Sequence, residues 1–379
     1  MGLILGVLFG LLELIPNAHP AILAITLLPV LGMGYADNLM FVTALLITSM
    51  SLNTLTHTYH PIPKAMLHAA EPAQRMAYEG QGKWATEIQL RAIPWGIAAA
   101  LIFTPVLVHF VKTIKAWVIP IGILLLVLSI SRSKNKPAAA FVLVLAVTVG
   151  ILAQEKLEMH AMMPLLAGLF TIPPLLHILV QEKTMALPKD QSKRPPKTPT
   201  EYSTIDSTLG IVGAFMPGIS TSSMVHLRVN EVDIPPHEYL TRSTLQKSTS
   251  DITALFVLIL LHQAHSVLSV AMMQTAIDFP LHYSFALVAG CLLVLFPIVQ
   301  WLTLKAENPY ITVIQKLPQK LFAIVLAPVT IGIVLNHAGM YGLIIMAAAA
   351  GVSLLQKHFR VPNQILLQGM TIPVLLMFM

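Results

Sequence analysis

The chain has 379 residues, of which 56% are hydrophobic and only 11% charged, with a mean hydropathy of +0.76. Soluble domains carry about 25% charged residues, so the composition excludes a water-soluble fold and predicts an all-α integral membrane protein. The net charge of +6 does not point to nucleic acid, because the basic residues lie between apolar runs, where membrane topology accounts for them.

In chain order, the first apolar run starts at Met1 and is interrupted within "LLELIPNAHPAILAIT", residues 11–26. It has no basic n-region and no A-x-A site before Pro16, so a cleavable signal peptide is not expected. Glu13, Pro16, Asn17, His19 and Pro20 stand at its centre. Polar and helix-breaking residues at membrane depth are costly and mark a working site. Full crossings are then predicted near 38–54, 90–111, 116–131, 137–154 and 162–180, on the basis of about 20 apolar residues per span. The loop 55–89 between the first two is mixed in charge and reads as part interfacial helix. Its "EGQGKW" has too few glycines for a nucleotide cradle and no Walker lysine-serine pair, so ATP-driven transport has no support.

A polar, proline-rich linker at 181–206 separates this half from a second one. The second half opens with another interrupted run, "TLGIVGAFMPGISTSSMVHL", residues 208–227. Crossings follow near 252–274, 281–304, 318–336, 338–356 and 363–379. Pro217 lies 201 residues after Pro16, about half the chain. A duplicated unit with a broken helix at matching positions is typical of secondary transporters.

Charge decides how the broken segments lie. If the second one turns back, 20 of the 23 Lys and Arg share one membrane face, leaving only Lys112, Lys115 and Lys156 on the other; if it crosses, the split is 12 against 11. The positive-inside rule favours the first arrangement and makes the basic face, linker included, cytoplasmic. Five crossings per half is an odd number, so the halves are inverted. The expected organisation is a first repeat over 1–180 (hairpin 2–34, cytoplasmic loop 55–89), the linker 181–206, and a second repeat over 207–379 (hairpin 207–228).

Proline breaks a helix and removes a backbone donor, so each segment reads as two half-helices. The first turn of the second half-helix leaves free N–H groups and a partial positive charge. Two such ends facing each other make an anion site without any basic side chain. Pro16, Asn17 and His19 in the first segment, with Pro217, Gly218, Ser220, Thr221 and Ser222 in the second, are the candidate substrate-binding residues, His19 and Ser220 as N-caps. A proline kink repaired by neighbouring helices is the plainer alternative. Glu13 is the only acid of the first apolar run; burial disfavours a charged carboxyl, which makes it a candidate proton carrier, or else a brace for the hairpin backbone. "HTYH" at 57–60 and "HQAH" at 262–265 are HxxH pairs 205 residues apart. His57 and His262 are candidates for proton or substrate contact, and Asp251 is a further relay candidate. No Cys or acidic partner sits at zinc-ligand spacing, so neither metal nor other cofactor is expected. The single cysteine, Cys291, excludes an internal disulfide.

The pair of proline-centred segments resembles the large membrane subunit of the tripartite tricarboxylate transporters, in particular its shorter archaeal relatives. "HPIPKAMLHAAEPAQRMAYEGQGKWA", "STSDITALFVLIL" and "NHAGMYGLIIMAAAAGVSLLQKHFRVPNQILLQGMTIPVLL" are similar to three further stretches of that pattern. The chain departs from it at Pro16-Asn17, where the family favours Pro-Gly, and at Asp251, where relatives tend to carry asparagine or alanine. The resemblance implies a small organic anion as substrate and, in the bacterial systems, a binding-protein partner. It implies a permease in the cell membrane and no enzymatic activity.

The leading expectation is therefore a multi-pass secondary transporter of a carboxylate anion held between the tips of two inverted hairpins, proton-coupled through Glu13. A homodimer is compatible with this reading. A polyprenyl-phosphate translocase would use the same anion site with a lipid phosphate as cargo. An intramembrane hydrolase would need the HxxH pairs or Asp251 to converge, and no motif requires that.

Overall fold

The computed structural model describes residues 1–14, 28, 31–59, 72–110, 117–157, 160–180, 204–215, 234–261, 281–316, 319–361 and 365–366. Among them the secondary structure is helical throughout, and seven helices are long and apolar enough to span a bilayer. We number the elements α1 (Gly2–Gly10), followed by a 3₁₀ turn (Leu11–Leu14), α2 (Tyr35–Tyr59), α3 (Pro72–Tyr78), α4 (Gly82–Leu107), α5 (Val118–Arg132), α6 (Lys136–Leu157), α7 (Met162–Val180), α8 (Thr204–Ala214), α9 (Pro236–Leu261), α10 (Leu281–Lys316) and α11 (Gln319–His358).

Polar and apolar faces are distributed as a membrane protein requires. Leu293, Val294, Ile298 and Trp301 of α10 are exposed, as are Ile324, Val325, Ile331 and Ile344 of α11. Thr48, Ser49, Ser51, Thr54 and Thr58 of α2 and Gln246, Ser248, Thr249 and Thr253 of α9 are buried. Hydrocarbon makes apolar side chains indifferent to exposure, whereas polar groups must turn inward to find partners. The protein is an all-α, multi-pass integral membrane protein.

Helix limits differ from the sequence expectation in three places. Helix α9 starts at Pro236 rather than near 252, because its polar first half is buried by protein and needs no apolar run. Helix α10 continues past 304 to Lys316 for the same reason: Glu307, Tyr310 and Ile314 are buried. The predicted spans 318–336 and 338–356 form α11, broken at Gly339, whose φ of 62° lies where a side chain is unfavourable. The segment 55–89 is helical over 55–59, 72–78 and 82–89 and packs into the protein through Ala73, Met76, Ala85 and Ile88.

The chain divides into two units, each drawing on both halves of the sequence. One comprises Met1–Ile114, Met185–Phe215 and Arg228–Lys316; the other comprises Lys115–Thr184, Met216–Leu227 and Leu317–Met379. In the second, α6 and α7 pack on α11 around Val142, Leu165, Ala349 and Val352. A π-turn (Ala167–Thr171) in α7 brings Gly168 against the Met346 carbonyl.

The first unit carries the features relevant to function. Helix α1 lies along α2 and runs in the same direction: Gly2 faces the Asp37 carbonyl, Gly6 the Phe41 carbonyl and Gly10 the Thr48 side chain. The Met1 ammonium and the Gly2 N–H both donate to Asp37 Oδ1, at 3.1 and 2.9 Å. Helix α8 lies along α9 in the same way. Gly210 of α8 faces the Gln246 carbonyl of α9, Gln246 Nε2 donates to Asp206 Oδ1 at 3.1 Å, and Phe215 shares a buried cluster with Val257.

The halves then exchange partners. Helix α2 runs parallel to α10, from Ser284 Oγ, which donates to Tyr35 Oη at 3.5 Å, to Tyr59 Oη, which donates to Glu307 Oε1 at 2.9 Å. Helix α4 runs parallel to α9, from the Trp84–His237 ring contact through Gly96 on Ser248 to Thr104 Oγ1 and Thr253 Oγ1, 3.1 Å apart. Helix α4 starts beside the end of α2, where Gly82 sits against the Tyr59 ring and Gln89 Nε2 donates to Thr58 Oγ1 at 3.1 Å, and returns along it. Helices α2 and α9 therefore run in opposite directions.

The glycine contacts leave no room for a side chain. A Cβ on Gly6 would stand 2.3 Å from the Phe41 carbonyl oxygen, whereas one on Gly290 would meet nothing within 4 Å. Gly6→Leu should therefore lose monodisperse protein in detergent, at a cost of about 1–3 kcal/mol or more. Gly290→Leu should match the wild type in the same size-exclusion thermal-stability assay.

Candidate functional site

Helix α1 ends in the 3₁₀ turn that carries Glu13. Three residues per turn place Glu13 on the same side as Gly10, which rests on Thr48. The carboxyl therefore reaches α2 just beyond Thr48 and is 2% exposed. The Ser49 side chain of α2 lies beside it. Glu13 Oε1, Thr48 Oγ1 and Ser51 Oγ are all buried and have no hydrogen-bond partner among the described residues. Thr48 and Ser51 are three residues apart and share a helix face. A buried polar atom left unpaired costs about 1–3 kcal/mol. Glu13 Oε1 and Thr48 Oγ1 lie where the end of α1 meets α2, a polar spot able to take up a proton, an ion or a ligand atom.

Helix α9 brings the opposite charge. Lys247 and Asp251 are one turn apart, and Lys247 is near enough to act electrostatically on both Asp251 and Glu13. Lys247 is exposed and Asp251 partly buried, while Gln246, Ser248 and Thr249 between and beside them are buried.

A second polar group lies toward the end of α2. Besides the Tyr59–Glu307 and Gln89–Thr58 hydrogen bonds, Gln300 Nε2 of α10 donates to the Leu90 carbonyl of α4 at 3.2 Å. These bonds tie α2, α4 and α10 together. Glu307 is buried, so the tyrosine hydroxyl is its compensation for lost water.

Of the residues singled out from sequence, Glu13 and Asp251 come within reach of one lysine. His57 occupies the last turn of α2, eight residues beyond Ser49 and thus about 12 Å further along the helix, so it does not join them. Pro16, Asn17, His19, Pro217, Gly218, Ser220, Thr221, Ser222 and His262 lie outside the described residues. Sequence reasoning missed Thr48, Ser49, Ser51 and Lys247. A signal was available: Thr48-Ser49 and Thr249-Ser250 are 201 residues apart, the separation of Pro16 and Pro217.

Comparisons with curated proteins and with solved structures return no match. The model of one family, described as the tripartite tricarboxylate transporter TctA family, matches residues 1–367. With the match spanning almost the entire chain and both halves of the polar interior, this multi-pass membrane protein belongs to the tripartite tricarboxylate transporter TctA family, a family of transporters rather than enzymes.

Proposed function

We propose that this chain is the permease of a secondary transporter for organic anions of the carboxylate class, tricarboxylates or relatives of them, held between the tips of two inverted re-entrant hairpins. The observation that carries the reading is the parallel course of α1 with α2 and of α8 with α9. Each pair supports a chain that turns back between its two helices, and the opposite directions of α2 and α9 support an inverted repeat. On this reading the interruptions at Pro16-Asn17 and Pro217-Gly218 are the tips, and their free N–H groups receive the anion.

Glu13 is the coupling group. It sits one turn before Pro16, in the buried polar cluster with Ser49. An ionised Glu13 repels an anion at the tip, and repulsion grows as water is excluded. A protonated Glu13 does not. The proton and the anion then enter together, from the acid side. The excess of Lys and Arg expected on one membrane face supports a cytoplasmic linker 181–206, and the tripartite family supplies the expectation of a binding protein and a small subunit as partners.

Purified protein in sealed vesicles tests the reading. Labelled citrate, as a simple tricarboxylate, should accumulate when the outside is made acid and should exchange with unlabelled citrate. Vesicles that take up a lipid phosphate but no di- or tricarboxylate would replace the cargo and leave the architecture.

A further inference from the structure

Lys247 is one of the few charges in the membrane-spanning part of this protein whose surroundings do not explain it. Eleven residues separate it from Pro236 and fourteen from Leu261, so at 1.5 Å per residue it stands about 16 Å from one end of α9 and about 21 Å from the other. For a helix that spans a hydrocarbon core of about 30 Å from end to end, that is mid-depth. Its neighbours fix the backbone there from two sides. A Cβ on Gly96 of α4 would stand 1.9 Å from Ser248 Oγ, and one on Gly210 of α8 would stand 2.6 Å from the Gln246 carbonyl oxygen. With Gln246, Ser248 and Thr249 buried against those helices, Lys247 projects from the remaining side and is exposed.

An ionised lysine at that depth is costly unless it faces water, a counter-charge or a ligand. Among the described residues Lys247 forms no ion pair, in contrast to Arg242 one turn earlier, which pairs with Glu238. It nevertheless lies within electrostatic range of two acids, Asp251 on its own helix and Glu13 from the end of α1. With Glu13 ionised, the three groups sum to a single negative charge and repel an anion. With Glu13 protonated, they sum to zero, and the lysine's field is available to a negatively charged ligand.

We propose that Lys247 binds a carboxylate group of the transported anion, with Glu13 and Asp251 as its counter-charges while the site is empty. This rests on the transport reading above and adds to it a cation that the helix ends alone do not supply. A lysine suits the role because its compact charge on a four-carbon stem can follow substrates with differently placed carboxylates. Protonation of Glu13 then serves both partners, removing repulsion at the hairpin tip and freeing Lys247 from one competing acid.

Citrate uptake into vesicles containing the full chain tests the proposal. Lys247→Gln should raise the KM for citrate by roughly tenfold, as expected for losing a charge partner that the bound anion desolvates, and Lys247→Arg should recover part of the loss. If Lys247→Gln fails to fold, Lys247→Gln combined with Asp251→Asn removes the cation together with a counter-charge and should show the same KM defect. Wild-type uptake with an unchanged KM in either folded variant would overturn this inference alone. Absence of any carboxylate uptake by the wild type would overturn the transport reading, and this inference with it.

Discussion

Glu13→Gln should abolish proton-driven accumulation of the anion while leaving its binding intact or strengthened. The substitution preserves shape and hydrogen-bonding capacity but fixes the group in a neutral state, the state in which the account lets an anion approach. Exchange of labelled for unlabelled citrate across vesicles at equal pH should continue. Uptake driven by an acid exterior should fall to the level of a facilitated leak, because no proton is carried with the anion. The structural alternative makes the opposite forecast: if Glu13 only braces the turn through Ser49, the Gln variant loses folded yield. Unchanged gradient-driven uptake by a folded Glu13→Gln protein would remove the coupling role.

The second large effect is expected at the other broken segment. Gly218→Val should eliminate transport while the protein still reaches the membrane in normal amount. A turn directly after Pro217 that lets a helix restart around a ligand calls for the backbone freedom of glycine, and a β-branched residue there is the least compatible choice. The defect should appear in both exchange and gradient-driven uptake, unlike that of Glu13→Gln, because binding itself is lost. Wild-type uptake by Gly218→Val would take the second segment out of the site.

Much of the architecture was legible in the sequence, for physical reasons that can be traced to particular residues. Long apolar runs mark α4, α6 and α7 because lipid tolerates no other surface. Glu13 stood out because an acid within an apolar run needs a reason. Helix α9 was misplaced because a helix sheathed by protein need not be apolar: "PHEYLTRSTLQKSTSD", 236–251, reads as loop until α4 and α8 cover it. Lys247 was overlooked on the same account, since a lysine in an apparent loop is unremarked whereas one at the middle of a helix is not. Tyr59 and Glu307 are 248 residues apart, and no local pattern pairs them.

Other signals were present and went unused. Gly2, Gly6 and Gly10 recur every four residues, the spacing that lets one helix lie against another. Pro94 and Pro105 of α4 and Pro297 and Pro309 of α10 repeat at offsets of 203 and 204. With Pro16 and Pro217, 201 apart, they support the proposed duplication at three places in the chain.

The central claim is that one anion is held by both segments, and substrate protection measures it most directly. In a Cys291→Ala background, single cysteines at Asn17 and at Thr221 would be labelled with a small membrane-impermeant thiol reagent, with and without saturating citrate. The account predicts that citrate slows labelling at both positions, with Asn17 reached from the outer face and Thr221 from the cytoplasmic face. Labelling at both positions that is indifferent to citrate, in protein that still transports it, would contradict the account.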